Sequence, residues 1–229
     1  MADDTTATFT DSTYDEGIRE LLGILCYGEI AACERLNEDA LMAPDLRTKV
    51  EIMAMSAAEW DHFEKLHERL AGLVDDTDPF IEQFAPVFDR FHAQTRPSDW
   101  LEGLVKAYVG DGLAADFYRE IAAYLDADTR ELVLETLSGT GHSEFVVGAI
   151  RGAIEQDPRL GGRLALWGRR LMGEALSQAQ MVVAERDALS AVIVGGVDNP
   201  GLDLAGIGRM FTRITEAHAE RMDKLGLAA

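Results

Sequence analysis

Apolar residues recur every three or four positions along almost the whole chain, and the strand-like alternation of apolar and polar residues is absent between the turn signals. This pattern predicts an all-α protein. Turn-forming sequences then divide the chain into helices. The expected helices are A (about 13–42), B (about 46–73), a short piece (81–91), C (about 99–126), D (about 128–156) and two C-terminal helices (about 163–190 and 203–225).

The connections between these helices indicate how they are arranged. Short turns follow helices A and C, so A pairs with B and C pairs with D, whereas the longer connection from B to C crosses the bundle. The expected architecture is a four-helix bundle of two antiparallel hairpins with a long crossover, and two additional C-terminal helices packed on it in the same domain. The domain boundaries follow: a disordered acidic tail at 1–12, the bundle at 13–156 and the additional helices at 157–229.

Charged residues interrupt the apolar stripes of the first hairpin. Helix A carries Glu29 on its stripe, and helix B carries Glu59 and His62. Glu29 and Glu59 each lie fifteen residues from Pro44 in the turn, so they should lie side by side, with His62 one turn further along. Because an unpaired buried charge is costly, these three side chains require a shared partner.

The second hairpin repeats this arrangement with Asp111 on helix C and His142 on helix D, at nearly equal distances from the turn at Ala127. The sequences "YGEIAACE" at 27–34 and "VGDGLAAD" at 109–116 also resemble each other, which favours an internal repeat. Together the two hairpins predict a metal site. A buried, hydrogen-bonded cluster of the same residues without a metal is the alternative.

On these residues the chain resembles the ferritin-like dimetal carboxylate proteins. More narrowly, it resembles actinobacterial proteins similar to the tRNA methylthio-isopentenyladenosine hydroxylase, through "YVGDGLAADFYREIAAYL", "SGTGHSEF" and the two later helices. The resemblance implies a non-haem di-iron centre that activates oxygen and inserts one atom into the isopentenyl side chain of a modified tRNA base.

The resemblance also implies a role for each ligand. Glu29 and Asp111 would be terminal ligands, Glu59 a bridging carboxylate, and His62 and His142 the nitrogen ligands of the two irons. Gly139 stands three residues before His142, where the family pattern has a glutamate. Two iron ions are the expected cofactor, with another divalent metal as the alternative, and no catalytic residue is assigned.

Composition limits the remaining functions. The net charge of -20 disfavours nonspecific binding to nucleic acid or to an anionic membrane, and no run of apolar residues is long enough to span a bilayer. Cys26 and Cys33 lie too far apart on one helix to form a disulfide. We therefore expect a cytoplasmic protein. The arginines between 151 and 170 form either an RNA-facing patch or a surface that is solvated or contacts a second subunit.

Two classes of function fit these features. The first is a metal-dependent oxidase or hydroxylase that acts on a modified tRNA or another small apolar substrate, as a homodimer with a possible electron donor. The second is a catalytically degenerate structural or interaction module, which would have direct histidine-to-carboxylate hydrogen bonds and no open cavity. Iron storage is a weaker third reading. Further polar residues of the last two helices are expected on solvated faces or in helix-to-helix hydrogen bonds: Glu174, Gln178, Glu216 and His218.

Overall fold

The computed structural model describes residues 4–137, 142–194 and 202–229. Within these ranges the chain forms ten α-helices and no strand, which confirms the all-α prediction. The helices are α1 Asp4–Leu41, α2 Leu46–Ala71, α3 Thr77–Glu82, α4 Ala85–Gln94, α5 Trp100–Ala122, α6 Ala127–Thr136, α7 Ser143–Gln156, α8 Arg159–Glu185, α9 Asp187–Val194 and α10 Leu204–Lys224.

Helices α1 and α2 form the predicted antiparallel hairpin. The Asp45 side chain caps α2 by accepting a hydrogen bond from the Thr48 amide at 2.8 Å. Further along the pair, the Cys33 thiol donates to the Ser56 carbonyl at 3.3 Å, and the Asn37 amide donates to the Ser56 hydroxyl at 3.1 Å. These contacts fix the register in which Glu29 and Glu59 lie at one level.

The crossover consists of α3 and α4, and it delivers the chain to α5, which runs antiparallel to α1. At one end of this pair Asp39 packs on Gly103, where an added Cβ would lie 2.7 Å from the Asp39 Cγ. At the other end the Tyr14 hydroxyl donates to the Tyr124 carbonyl at 3.3 Å. Counting residues inward from these two contacts along the antiparallel helices places Asp111 of α5 at the same level as Glu29 of α1.

Two predicted helix boundaries are wrong. Helix α1 begins at Asp4, ahead of the Thr13 capping box. Helix D is not one helix, because α6 ends at Thr136 and α7 begins at Ser143. Residues 138–141, between these two helices, lie outside the described residues.

The C-terminal part adds three helices where two were expected. Helices α8 and α10 pack on α5, and the short α9 packs on α1. The predicted fifth helix is divided at Arg186, whose backbone is extended. An ion pair to Glu20 at 3.2 Å and a cation–π contact with Phe84 at 4.7 Å hold Arg186 in place. The domain boundaries at residues 13 and 157 stay a prediction.

The buried apolar side chains form two clusters inside the bundle. One contains Leu22, Leu66 and Ile121, and the other contains Leu104 and Ile150. Both clusters contribute residues to the wall of a cavity that runs along α1 and α5. In the described part of the chain, no helix has the length and apolar character needed to cross a membrane.

Candidate metal centre

Glu29, Glu59 and His62 converge from α1 and α2 as the hairpin register predicts. One ligating atom from each lies within 4.8 Å of the other two. The His62 Nδ1 is 3.4 Å from the Glu59 Oε2 and 3.9 Å from the Glu29 Oε2. All three side chains are largely buried, with 12 to 17% of their surface exposed. Carboxylate oxygens and an imidazole nitrogen at this spacing can hold one metal ion.

The electrostatics of this group favour a bound cation. Burial raises the pKa of Glu29 well above its usual value, and the charges of Glu59 and Asp111 raise it further. His62, Arg119 and Arg221 partly offset the charge of Asp111. In the described ranges, however, His62 is the one basic group within ion-pair distance of Glu29 and Glu59, and burial of like charges is unfavourable without a counter-ion. A divalent metal between the carboxylates would remove this penalty. The site is therefore electrostatically incomplete with protein groups alone in the described ranges.

Asp111 and His142 line the same cavity as Glu29 and Glu59. Asp111 is exposed by its solvent-accessible area, and it is one of the residues that border the cavity. Burial is the main cause that raises its pKa to about 6, and Glu59 adds to the shift. Neither Asp111 nor His142 joins the tight group around His62. The structure thus brings three of the five predicted ligands together and places the other two on the same cavity wall.

The second hairpin departs from the first at helix D. His142 is the residue before α7, not a residue within a continuous helix. Gly139, which replaces the expected glutamate, lies outside the described residues. Glu135 does not substitute for the missing ligand, because it is exposed and its Oε1 binds the Lys65 Nζ at 2.6 Å on the surface. A repeat of Glu59 and His62 is therefore not observed in the described part of the second hairpin.

The cavity has a volume of about 330 Å³, which falls within the range of small-molecule sites. The walls are mostly apolar, and they come from α1, α2, α4, α5, α7, α8, α9 and α10. On one side of the carboxylates the lining residues are apolar: Leu21, Ile24, Leu25, Phe88, Ile121, Val182 and Leu189. The cavity therefore connects the candidate metal ligands to space for an apolar chain.

Several polar residues of the cavity were not predicted. Arg35, Asp39, His92 and Lys106 lie together at the other side of the carboxylates. Asp39 continues the α1 stripe from Glu29 at helical spacing, so the sequence carried a signal for it. His92 comes from α4 and Lys106 from α5, and the Lys106 Nζ lies 5.5 Å from the centroid of the Phe91 ring of α4. No local sequence pattern reveals that contact.

The additional polar candidates of the last helices are not simply solvated. Gln178 on α8 is 8% exposed and lines the cavity, and its Oε1 has no hydrogen-bond partner in the described chain. His218 on α10 is 4% exposed, and both of its ring nitrogens lack such a partner. Burial lowers the pKa of His218. The expectation of solvated faces is thus wrong for Gln178 and His218.

The arginine cluster is engaged within the chain. All five of its members bind acceptors of the same molecule, two of them through the C-terminal segment. The pairs are Arg151 with the Lys224 carbonyl, Arg159 with Asp157, Arg163 with Asp99 and Glu102, Arg169 with the Ala228 carbonyl, and Arg170 with the Gln94 carbonyl. These contacts favour a structural role over a free RNA-facing patch.

The fold and site define a class: a helical-bundle protein whose inward-facing carboxylates and histidine form a candidate metal centre beside an apolar cavity. Comparison with known families agrees with this class. Residues 12–196 match the model of the family described as "Ferritin-like domain, actinomycetes", and the chain belongs to that family.

A solved structure has the same fold. It is the Synechococcus protein described as "Protein 19 with aldehyde deformylating oxidase activity", which aligns with a TM-score of 0.69. The alignment covers 96% of this chain and 94% of that chain at 18% identity, so the likeness concerns the fold. No protein of curated function matches the sequence.

Proposed function

We propose that this protein is an iron-dependent oxidase or hydroxylase of the ferritin-like class, acting on a small substrate with an apolar chain. The observation that carries the proposal is the convergence of Glu29, Glu59 and His62 at the wall of an apolar cavity. Two iron ions are the proposed cofactor, with Asp111 and His142 completing the ligand set.

The residues present fit such a centre by their chemistry. Carboxylate and imidazole ligands suit iron, manganese and zinc, and three acids on one cavity wall offset the charge of divalent ions. Bound iron would supply the capacity to activate oxygen. The chain itself would hold the ligands on rigid helices, keep most water from the apolar walls, and position a substrate carbon next to the carboxylates.

The substrate class follows from the cavity walls. Apolar side chains dominate one side of the carboxylates, which suits an alkyl or isoprenoid chain. The Synechococcus protein of the same fold has an oxidase activity on aldehydes, so medium-chain aldehydes are suitable first test compounds. A modified tRNA base remains a narrower candidate, and a salt-dependent gel shift with modified and unmodified tRNA would test it.

The degenerate, structural alternative predicts direct histidine-to-carboxylate contacts and a closed core. The contacts do not separate the two readings, because the His62 Nδ1 lies 3.4 Å from the Glu59 Oε2 and 3.9 Å from the Glu29 Oε2. The core does separate them, because the carboxylates border a cavity of about 330 Å³. This cavity supports a site that binds metal and substrate.

Anaerobic loading with ferrous ion, followed by iron quantitation, tests the metal-binding part of the proposal. We expect more than one iron per chain in the wild type and a large loss in Glu59→Ala. The matched control is Glu64→Ala, an exposed glutamate on the same helix. Less than about 0.2 iron per chain, or equal binding in Glu59→Ala, would contradict the proposal.

Activity is tested separately with the loaded enzyme. We expect oxygen consumption that depends on a medium-chain aldehyde, with product detected by mass spectrometry. Iron binding without any substrate-dependent oxygen consumption across a panel of apolar aldehydes, alcohols and acids would contradict the oxidase assignment, while leaving the metal site intact.

A further inference from the structure

The cavity has a second polar region that the metal site does not use. Arg35 and Asp39 project from α1, His92 comes from α4 and Lys106 from α5, and all four line the cavity. We call this region the polar end. Arg35 lies six residues beyond Glu29, and Lys106 lies five before Asp111. At a rise of 1.5 Å per residue the polar end begins about 8 to 9 Å from the carboxylates.

Several hydrogen-bonding groups of the polar end are unused within the described chain. The Nδ1 of His92 and the Nε of Arg35 are buried without a partner. The Lys106 Nζ, on a residue 6% exposed, makes one hydrogen bond, to the Thr95 carbonyl at 2.8 Å. Since an ammonium has three donors, two remain.

Asp39 adds an acceptor to these donors. It is 6% exposed, and no hydrogen bond from the described residues reaches its carboxylate. Burial raises its pKa to about 6, although the nearby Lys106 acts in the opposite direction. Burial also lowers the pKa of Lys106 to about 8. Both groups are therefore desolvated without a compensating ion pair, an arrangement that a polar ligand group would relieve.

The unused groups specify the chemistry of that ligand group. Lys106 has two donors left and Arg35 has one, its Nε, because the Arg35 Nη atoms pair with Glu34 at 3.3 Å and Glu38 at 3.1 Å. The imidazole of His92 can donate as well, and these groups call for acceptor oxygens. A carboxyl group supplies two such oxygens, and in its protonated form it can also donate to Asp39. The opposite orientation is unfavourable, because a carboxylate next to Glu29 and Glu59 would meet like charges.

We infer that the cavity binds a medium-chain carboxylic acid, with its carboxyl group at the polar end on Lys106 and Arg35 and its alkyl chain extending past the carboxylates. The apolar side chains beyond Glu29 would receive the far end of the chain. Gln178, buried on the cavity wall with an unpartnered oxygen, is a further polar contact for an oxygenated chain.

This orientation has a consequence for the reaction, which rests on the proposed function. The carbon nearest the candidate metal ligands would be several bonds from the carboxyl group. Oxidation would then occur along the chain and not at the carboxyl carbon. Binding itself does not depend on a metal, so the two proposals can fail independently.

The test is isothermal titration of the full-length, metal-free protein with decanoate and decanol. One charge-assisted hydrogen bond contributes about 1.5 to 3 kcal/mol, so decanoate should bind at least about tenfold more tightly than decanol. Equal affinity for the two ligands, or preference for decanol, would overturn the inference.

A pair of lysine variants locates the carboxyl group. Lys106→Met should lower decanoate affinity about tenfold or more and leave decanol binding unchanged or stronger. Lys65→Met, a control on the exposed face of α2, should change neither. Full decanoate affinity in a folded Lys106→Met protein would overturn the inference. If Lys106→Met does not fold, Arg35→Gln serves instead, and full decanoate affinity in that variant would overturn the inference.

Discussion

Replacing Glu29 by glutamine should stabilise the metal-free protein, because the carboxylates at the candidate metal centre repel one another. The ligating atoms of Glu29 and Glu59 lie within 4.8 Å. Two unit charges at that distance repel by about 3 kcal/mol at an effective dielectric constant near 20. Proton uptake by Glu29 relieves part of this repulsion, so the expected gain in the free energy of unfolding is about 1 to 3 kcal/mol near pH 8.

The gain should depend on pH with a defined sign. The pKa of Glu29 is raised by folding, so the folded state binds a proton that the unfolded state, with a pKa near 4.5, releases. The stability of the wild type therefore falls as pH rises from 4.5 through the folded pKa. Glu29→Gln lacks this contribution, and its advantage over the wild type should grow with pH and disappear below pH 4.5.

Urea unfolding with a chelator present measures this effect, with Glu64→Gln on the exposed face of α2 as the matched control. Adding manganese or ferrous ion should reverse the order, because a ligand at a hundredfold excess over its dissociation constant stabilises the wild type by about 2.7 kcal/mol. If metal-free Glu29→Gln is no more stable than Glu64→Gln near neutral or higher pH, the reasoning from like-charge repulsion is refuted.

Three further predictions concern the fold and assembly. A Cβ at Gly17 would lie 2.5 Å from a carbonyl oxygen of α9, so Gly17→Ala should lower the free energy of unfolding in urea by about 1 to 3 kcal/mol. The control Gly173→Ala, with open space around the added Cβ, should raise it by up to about 1 kcal/mol. Equal effects of the two substitutions would refute close packing at Gly17. Glu102→Ala removes a buried acceptor of Arg163 and should lower stability by about 2 to 3 kcal/mol, and a neutral result would contradict that. Exposed apolar residues recur at heptad spacing on α2, at Leu46, Met53 and Trp60, and such a stripe can pack against a second copy of the helix. Met53→Lys should therefore convert the expected homodimer to a monomer in sedimentation. A monomeric wild type would disprove the dimer.

The first half of the site could be predicted from the sequence because it depends on local geometry. One short turn joins two regular helices, so counting residues from Pro44 places Glu29 beside Glu59, and the helical period adds His62. No long-range information is needed for this step. The same reasoning gave the cavity-facing position of Asp111, since α5 is also a regular helix.

The second half could not be predicted in the same way. Counting from Ala127 to His142 assumed a continuous helix, but α6 ends at Thr136 and α7 begins at Ser143. The two glycines between them were the available warning. Lys106 and His92 were missed for another reason: they lie off the apolar stripes, and they are buried by long-range packing of α8 on α5 and of α4 on α1 and α8.

The most direct test of the metal centre is anomalous diffraction from crystals of the protein loaded anaerobically with ferrous ion. We predict an anomalous peak between the Glu29, Glu59 and His62 side chains, and a second peak toward Asp111 and His142, both lost in crystals of Glu59→Ala. Loaded crystals with no anomalous density at these side chains, or with iron only at surface carboxylates, would contradict the assignment of this site as a metal centre.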